Sequence, residues 1–157
     1  MPHPIWVKQL EQIVGAEHAL LPGADDFAKY EQDETEDLRF APQVVVRPAT
    51  TEQVRQIVLL AIAERLPIVP RGGGTGLSGG ALATRGGILL SLERMNRLVE
   101  IDEQNLFAVV EPGLITQHFE EAVEARGLFY PPDPASRGSC TIGGNVAENA
   151  GGPRALK

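Results

Sequence analysis

Residues 70–80 read Pro70-Arg-Gly-Gly-Gly-Thr-Gly-Leu-Ser-Gly-Gly80, and six of the nine positions from 72 to 80 are glycine. Backbone without a Cβ can turn sharply, and it lets another group come close. Within the run, Gly74-Thr-Gly-Leu-Ser-Gly79 matches G-x-G-x-x-G, the fingerprint of nicotinamide-dinucleotide folds. A short apolar strand, Ile68-Val69, precedes it, and Glu93 follows at a spacing suited to a ribose. That fingerprint also needs a helix directly after the glycines, with its N-terminus on the pyrophosphate. Only Ala81-Leu-Ala-Thr-Arg-Gly86 separates the run from the next apolar segment, whereas a helical crossover takes at least about 10–12 residues. A nucleoside-triphosphate loop is excluded as well, because no Lys-Ser or Lys-Thr pair follows the glycines. The remaining reading is a nest, a loop whose successive N–H groups face one anion. A hydrogen bond to a charged acceptor contributes about 1.5–3 kcal/mol net, so three or four would hold a pyrophosphate without any lysine. A tight turn that binds nothing is the plain alternative.

The flanks supply the frame. Residues 43–46 form a β-branched run, expected as a strand ended by Arg47-Pro48. Thr50 or Thr51 caps a helix running to about Arg65, with Val54, Ile57, Val58, Ala61 and Ile62 as its buried face. With the strand at 68–69, this order resembles a βαβ unit. Strands are expected at 87–92, 98–101 and 107–110, the last two joined by a turn at 102–105. Thr116 is expected to cap a helix to about Ala125 that turns Phe119, Ala122 and Val123 inward. Upstream, a helix is expected over residues 5–14, stopped by Gly15, and the acidic run at 25–37 is expected to be solvated surface.

A second glycine cluster closes the sequence: Ser136-Arg-Gly-Ser-Cys-Thr-Ile-Gly-Gly-Asn-Val-Ala-Glu-Asn-Ala-Gly-Gly152. It follows a rigid Tyr130-Pro-Pro-Asp-Pro134 segment and is expected to open a short helix. Asn145 and Asn149 lie one helical turn apart, on one face if the segment is helical. An asparagine amide both donates and accepts, which suits the edge of a heteroaromatic ring. A helix cap followed by an ordinary loop is the alternative here.

Bulk properties narrow the function classes. A formal net charge of −7 argues against nucleic acid as a partner, because duplex binding depends on basic patches. No apolar run approaches the roughly 20 residues of a membrane helix, and the first residues lack the pattern of a secretory signal. With a single cysteine, Cys140, no internal disulfide is available, so a cytoplasmic setting is expected. The last residues, to Lys157, follow a glycine-rich site with no closing element, so the sequence is expected to be a fragment of a longer chain.

Together these segments resemble the FAD-binding domain of the vanillyl-alcohol oxidase and p-cresol methylhydroxylase superfamily. The resemblance runs from about Pro42 to the end. It is carried by Arg47-Pro-Ala-Thr-Thr-Glu-Gln-Val54, Pro70-Arg-Gly-Gly-Gly-Thr-Gly76, Val110-Glu-Pro-Gly113, Pro132-Asp-Pro-Ala-Ser136 and Thr141-Ile-Gly-Gly-Asn-Val-Ala-Glu-Asn-Ala-Gly-Gly152. The wording is most similar to its hydroxy-acid branch, which includes the flavin-bearing D subunit of glycolate oxidase and D-lactate dehydrogenases.

The resemblance implies an α+β, two-subdomain FAD-binding domain of the p-cresol methylhydroxylase type, C-terminally incomplete. Residues 1–41 would be a helical and acidic lead-in, and 42–157 the FAD-binding part. Pro70, Arg71, Gly72, Gly73, Gly74, Thr75 and Gly76 would cradle the phosphates. Asp133, Ser136, Ser139 and Thr141 would approach the flavin, while Gly144, Asn145, Asn149 and Gly152 would close over phosphate and ring. Thr75 stands where covalent relatives carry the flavin-linking His, so FAD is expected to be non-covalent. Cys140 is expected to be a small buried thiol rather than a second attachment point. Arg71 and Arg154 are candidates to neutralise phosphate.

The implied reaction oxidises a 2-hydroxy acid, glycolate or D-lactate, to the 2-oxo acid, with other oxidase subunits or an electron acceptor as partners. The base and the carboxylate-binding arginine would lie beyond this sequence. His3, His18 and His118 match no catalytic pattern of the family, and no catalytic residue is named. A non-catalytic FAD-binding fragment, and another reaction on the same fold, are the alternatives.

Overall fold

In the computed structural model, which describes residues 4–155, the chain divides into two units, one up to Arg94 and the other from Met95. His3 and Lys157 lie outside the described residues.

The first unit contains α1 (Ile5–Val14), β1 (Ala19–Leu20), β2 (Val44–Val46), α2 (Thr51–Glu64), β3 (Ile68–Arg71) and β4 (Ile88–Ser91). The sheet order is β1-β2-β4-β3, with β1 antiparallel and the other three strands parallel. The expected strand–helix–strand order therefore stands, but β4 enters between the two strands that α2 connects. Chemistry explains the placement. Every residue of β2 and β4 is buried, as uninterrupted apolar strands are when both faces of a parallel sheet are covered. β3 carries Pro70, which has no N–H to give a neighbour and so suits the edge.

Alternate side chains of the two inner strands feed two cores. Val44, Val46, Ile88 and Leu90 pack with Leu10 and Val14 of α1 and with Ile57 and Ala61 of α2. Val45 and Leu89 pack with Phe27 and Tyr30, which lie on a 3₁₀ turn inside the acidic run. That run is thus not wholly surface. Asp25, Asp26, Glu34, Glu36 and Asp37 are exposed, but the two aromatics between and beside them cover one face of the sheet.

The helices begin and end where local chemistry directs. Thr50 Oγ1 accepts the Gln53 N–H at 3.2 Å, capping α2, and Arg65 closes it in the left-handed conformation. Gly15, with φ of 91°, ends α1. Ile62, expected in the buried face of α2, is 69% exposed; the helix turns Ile57 and Ala61 to the sheet and carries Ile62 past it.

The second unit holds the hairpin β5 (Leu98–Asp102) and β6 (Phe107–Val110), then α3 (Thr116–Glu124) and α4 (Ile142–Glu148). Its core is Leu114, Phe119, Val123 and Ile142, against Leu98, Ile101, Val110 and Tyr130. Phe119 and Tyr130 meet edge to face with ring centroids 4.9 Å apart. Thr116 is not a cap. It lies fully buried in the first turn of α3, and Ile115 occupies the cap position without a side-chain bond. The N–H groups of Thr116 and Gln117 donate instead to the Cys140 and Arg137 carbonyls, both at 3.0 Å, so a loop does the capping. Among the described residues, no helix is long and apolar enough to cross a membrane, and no His, Cys, Asp or Glu cluster could hold a metal.

Candidate cofactor-binding site

The first glycine loop leaves the carboxyl end of β3, the edge at which open parallel sheets bind ligands. It joins two adjacent parallel strands, β3 and β4, without a helix, which is the crossover the residue spacing requires. Leu92 N–H donates to the Arg71 carbonyl at 3.0 Å and continues the ladder to the loop's mouth. Beyond that point the N–H groups of Gly72, Gly73, Gly74, Thr75 and Gly76 donate to no backbone or side-chain acceptor among the described residues. These uncommitted amides, in a row that runs on through Ser78 to the Gly79–Thr35 bond, form a donor array suited to phosphate oxygens.

The glycines of this loop do separate jobs. Gly74 has φ of +71°, and a Cβ there would overlap the Arg71 guanidinium below it. A Cβ at Gly76 would meet nothing within 4 Å. Packing therefore demands glycine at 74, whereas at 76 glycine leaves open space over the backbone. Free amides beneath space that no side chain fills are what a pyrophosphate needs, so these residues fit one.

Arg71 is turned into the protein on one side, while its Nη1 is buried without a partner among the described residues. The residue is 8% exposed, Nη2 donates to the Lys29 carbonyl at 3.1 Å, and the guanidinium lies over the Tyr30 ring. Burial lowers its pKa, opposed by the charge of Asp33. Pro70 is exposed on the edge strand, and Thr75 is half-buried.

The second cluster is built on a different principle. At the start of α4 its amides are already committed. Ile142 N–H donates to Leu114 O at 2.9 Å, Gly143 N–H to Pro112 O at 2.8 Å, and Gly144 N–H to the Thr141 hydroxyl at 3.2 Å. Thr141 is the N-cap of α4 and is buried. The glycines here permit close packing: a Cβ on Gly143 would sit 2.7 Å from Pro112 Cβ, and one on Gly152 would overlap the Asp133 carbonyl.

Asn145 and Asn149 do not share a face. Asn145 is buried and its amide Nδ2 donates to Thr116 Oγ1 at 2.7 Å, while Asn149 is the exposed, left-handed cap that ends α4. Ser136 and Ser139 lie on one turn, where the Ser139 hydroxyl donates to the Ser136 carbonyl at 3.2 Å. Asp133 is tied to Arg154 Nε at 2.9 Å and to Arg137 at 3.4 Å, and the Arg154 hydrogen bond holds its carboxyl below the usual range. Arg154 is thereby paired with protein carboxylates rather than free for phosphate.

Residues 70–76 thus belong to the first unit, and 133, 136, 139, 141, 144, 145, 149 and 152 to the second. Cys140 is buried with Sγ 3.2 Å from the Thr116 hydroxyl, as a small packed thiol. His118 is exposed on α3, and His18 lies between Arg47 and Glu17. Sequence reasoning missed Tyr30, Thr35 and Glu120. Glu120 is 4% exposed beside Arg137 and Arg154, and only its place next to Phe119 on α3 hinted at burial.

A parallel-stranded unit with an amide-lined glycine loop at its carboxyl edge defines a nucleotide-cofactor-binding α+β domain. The FAD binding domain family matches residues 42–157, and the chain belongs to it; FAD is its cofactor. The chain is 45% identical to glycolate oxidase subunit GlcD of Bacillus subtilis (strain 168), over 96% of its own length and 32% of the relative's. It is 38% identical to a D-2-hydroxyglutarate dehydrogenase of Stutzerimonas stutzeri (strain A1501), over 100% of its own length and 34% of the relative's. Solved structures share the fold. An alkyldihydroxyacetonephosphate synthase superposes with a TM-score of 0.83 at 22% identity, covering 97% of this chain and 33% of that one. For p-cresol methylhydroxylase the TM-score is 0.79 at 24% identity, covering 92% and 29%. The chain spans about a third of the length of the curated relatives it matches.

Proposed function

We propose that the protein is an FAD-dependent oxidoreductase that converts a 2-hydroxy acid to the 2-oxo acid, and that this chain supplies the cofactor-binding loops. The observation that carries the reading is the row of uncommitted amides from Gly72 to Gly76 under open space at Gly76. The names of the similar proteins, glycolate oxidase and D-2-hydroxyglutarate dehydrogenase, support the substrate class.

In this reading Gly72, Gly73, Gly74, Thr75 and Gly76 donate to the pyrophosphate oxygens, and Pro70 and Arg71 fix where the loop starts. Asp133, Ser136, Ser139, Thr141, Gly144, Asn145, Asn149 and Gly152 of the second unit are taken as further cofactor contacts. Bound FAD supplies the hydride acceptor, while the chain supplies position and electrostatics. FAD is held without a covalent bond, since Thr75 has no nucleophilic ring and the Cys140 thiol is buried. The binding part spans 42–157, with 1–41 as a lead-in. Glycolate or D-lactate is the substrate, a further oxidase subunit or electron acceptor takes the electrons, and the setting is the cytoplasm.

Desalting the chain after mixing with FAD, then recording its visible spectrum, tests this. A retained flavin band is expected, and its loss contradicts the cofactor site. Anaerobic addition of glycolate or D-lactate then separates two outcomes. Bleaching marks an enzyme. An unchanged band marks a binding module.

A further inference from the structure

The glycine loop is not held only by the strands it joins. Residues 27–35 precede the segment matched by the FAD binding domain family, yet they touch the loop from below at two places. Thr35 Oγ1 accepts the Gly79 N–H at 2.8 Å. The Lys29 carbonyl accepts from Arg71 Nη2 at 3.1 Å. Arg71 is the last residue of β3, and its guanidinium lies where a Cβ of Gly74 would fall. The arginine is therefore a strut between the lead-in segment and the positive-φ turn of the loop.

Each end of the strut is fixed in turn. The Tyr30 ring faces the guanidinium, 5.9 Å from ring centroid to Cζ, and its hydroxyl donates to Glu93 at 3.0 Å, just past β4. Asp33 Oδ1 accepts the Thr35 N–H at 2.9 Å, which fixes the residue that receives Gly79. A run of six glycines in nine positions carries a large conformational entropy, and ordering it for a ligand costs affinity. Contacts that order the loop beforehand lower that cost.

We propose that residues 27–35 form a clamp that sets the glycine loop in its ligand-ready shape, with Thr35 and Arg71 as positioning residues. The clamp rests on the reading of this loop as the pyrophosphate site. Thr35→Val keeps the shape of the side chain and removes its acceptor, and Thr35→Ser restores a hydroxyl. Amide hydrogen exchange at residues 72–80 of the FAD-free chain, and the FAD dissociation constant well below the unfolding midpoint, are the two readouts.

For Thr35→Val, Gly79 and its loop neighbours are expected to exchange faster and FAD to bind about three- to tenfold more weakly, the effect of one net hydrogen bond. Thr35→Ser should return both values towards those of the unsubstituted chain. Unchanged FAD affinity in Thr35→Val, with or without faster exchange, overturns the clamp. Failure of the unsubstituted chain to bind FAD overturns the cofactor-site reading instead, and the clamp with it.

Discussion

Tyr30 shows how much one side chain can couple. It closes the core face formed by Val45 and Leu89, lies under Arg71 and donates to Glu93. Burial, with the Glu93 carboxylate beside it, pushes the phenol up to about 12. An unfolded tyrosine ionises near pH 10, at about that ordinary value. The folded chain therefore keeps the Tyr30 proton where the unfolded chain loses it. Its contribution to stability is whole below about pH 10 and is lost as pH climbs through about 12. Tyr130 is raised too, chiefly by burial, so neither of the two tyrosines should ionise at its ordinary pH. Near-ultraviolet phenolate absorbance should lag on both, and Tyr30→Phe should remove the step near pH 12. Ionisation of two phenols near pH 10 in a folded chain would contradict this.

At the same scale, the sequence told Gly74 and Gly76 apart only as letters in a pattern. The structure separates a glycine demanded by Arg71 from one that leaves room. Such a distinction depends on what lies beneath the loop, which is a residue that local reading assigns to phosphate. Asn145 was obscured for a similar reason. Its partner, Thr116, lies 29 residues away, and one-dimensional spacing does not report such pairs.

Among elements, helices and strands were legible almost throughout, because periodicity, Thr50 and Gly15 are local signals. The insertion of β4 between β2 and β3 was not, since strand order is set by which strands can be covered on both faces. Nor was the aromatic turn within the acidic run, where two buried rings are outnumbered by solvated carboxylates. The short helix α4 was expected, but the close contact of Gly143 with Pro112, distant in sequence, was not. Gly143→Ala would press a methyl 2.7 Å from Pro112 Cβ and 2.8 Å from its carbonyl oxygen, both near rigid backbone. A loss of about 1–3 kcal/mol is expected in denaturant unfolding. Gly144→Ala, whose methyl meets only the Thr141 hydroxyl at 3.2 Å, should cost less. Equal losses would show that the Pro112 contact is not what glycine serves at 143.

For the molecule as a whole, two glycine clusters that look alike in sequence divide the work. One offers amides, and the other has spent those of Ile142, Gly143 and Gly144 on its own packing. The match to the FAD binding domain family, over residues 42–157, takes in both. Backbone amide resonances, followed by nuclear magnetic resonance as FAD is added, read this division directly. The amides of Gly72, Gly73, Gly74, Thr75 and Gly76 should shift most, and those of Ile142, Gly143 and Gly144 much less, because their protons already have acceptors. Flavin bound with the amides of residues 72–76 unmoved would show that the phosphates are held elsewhere.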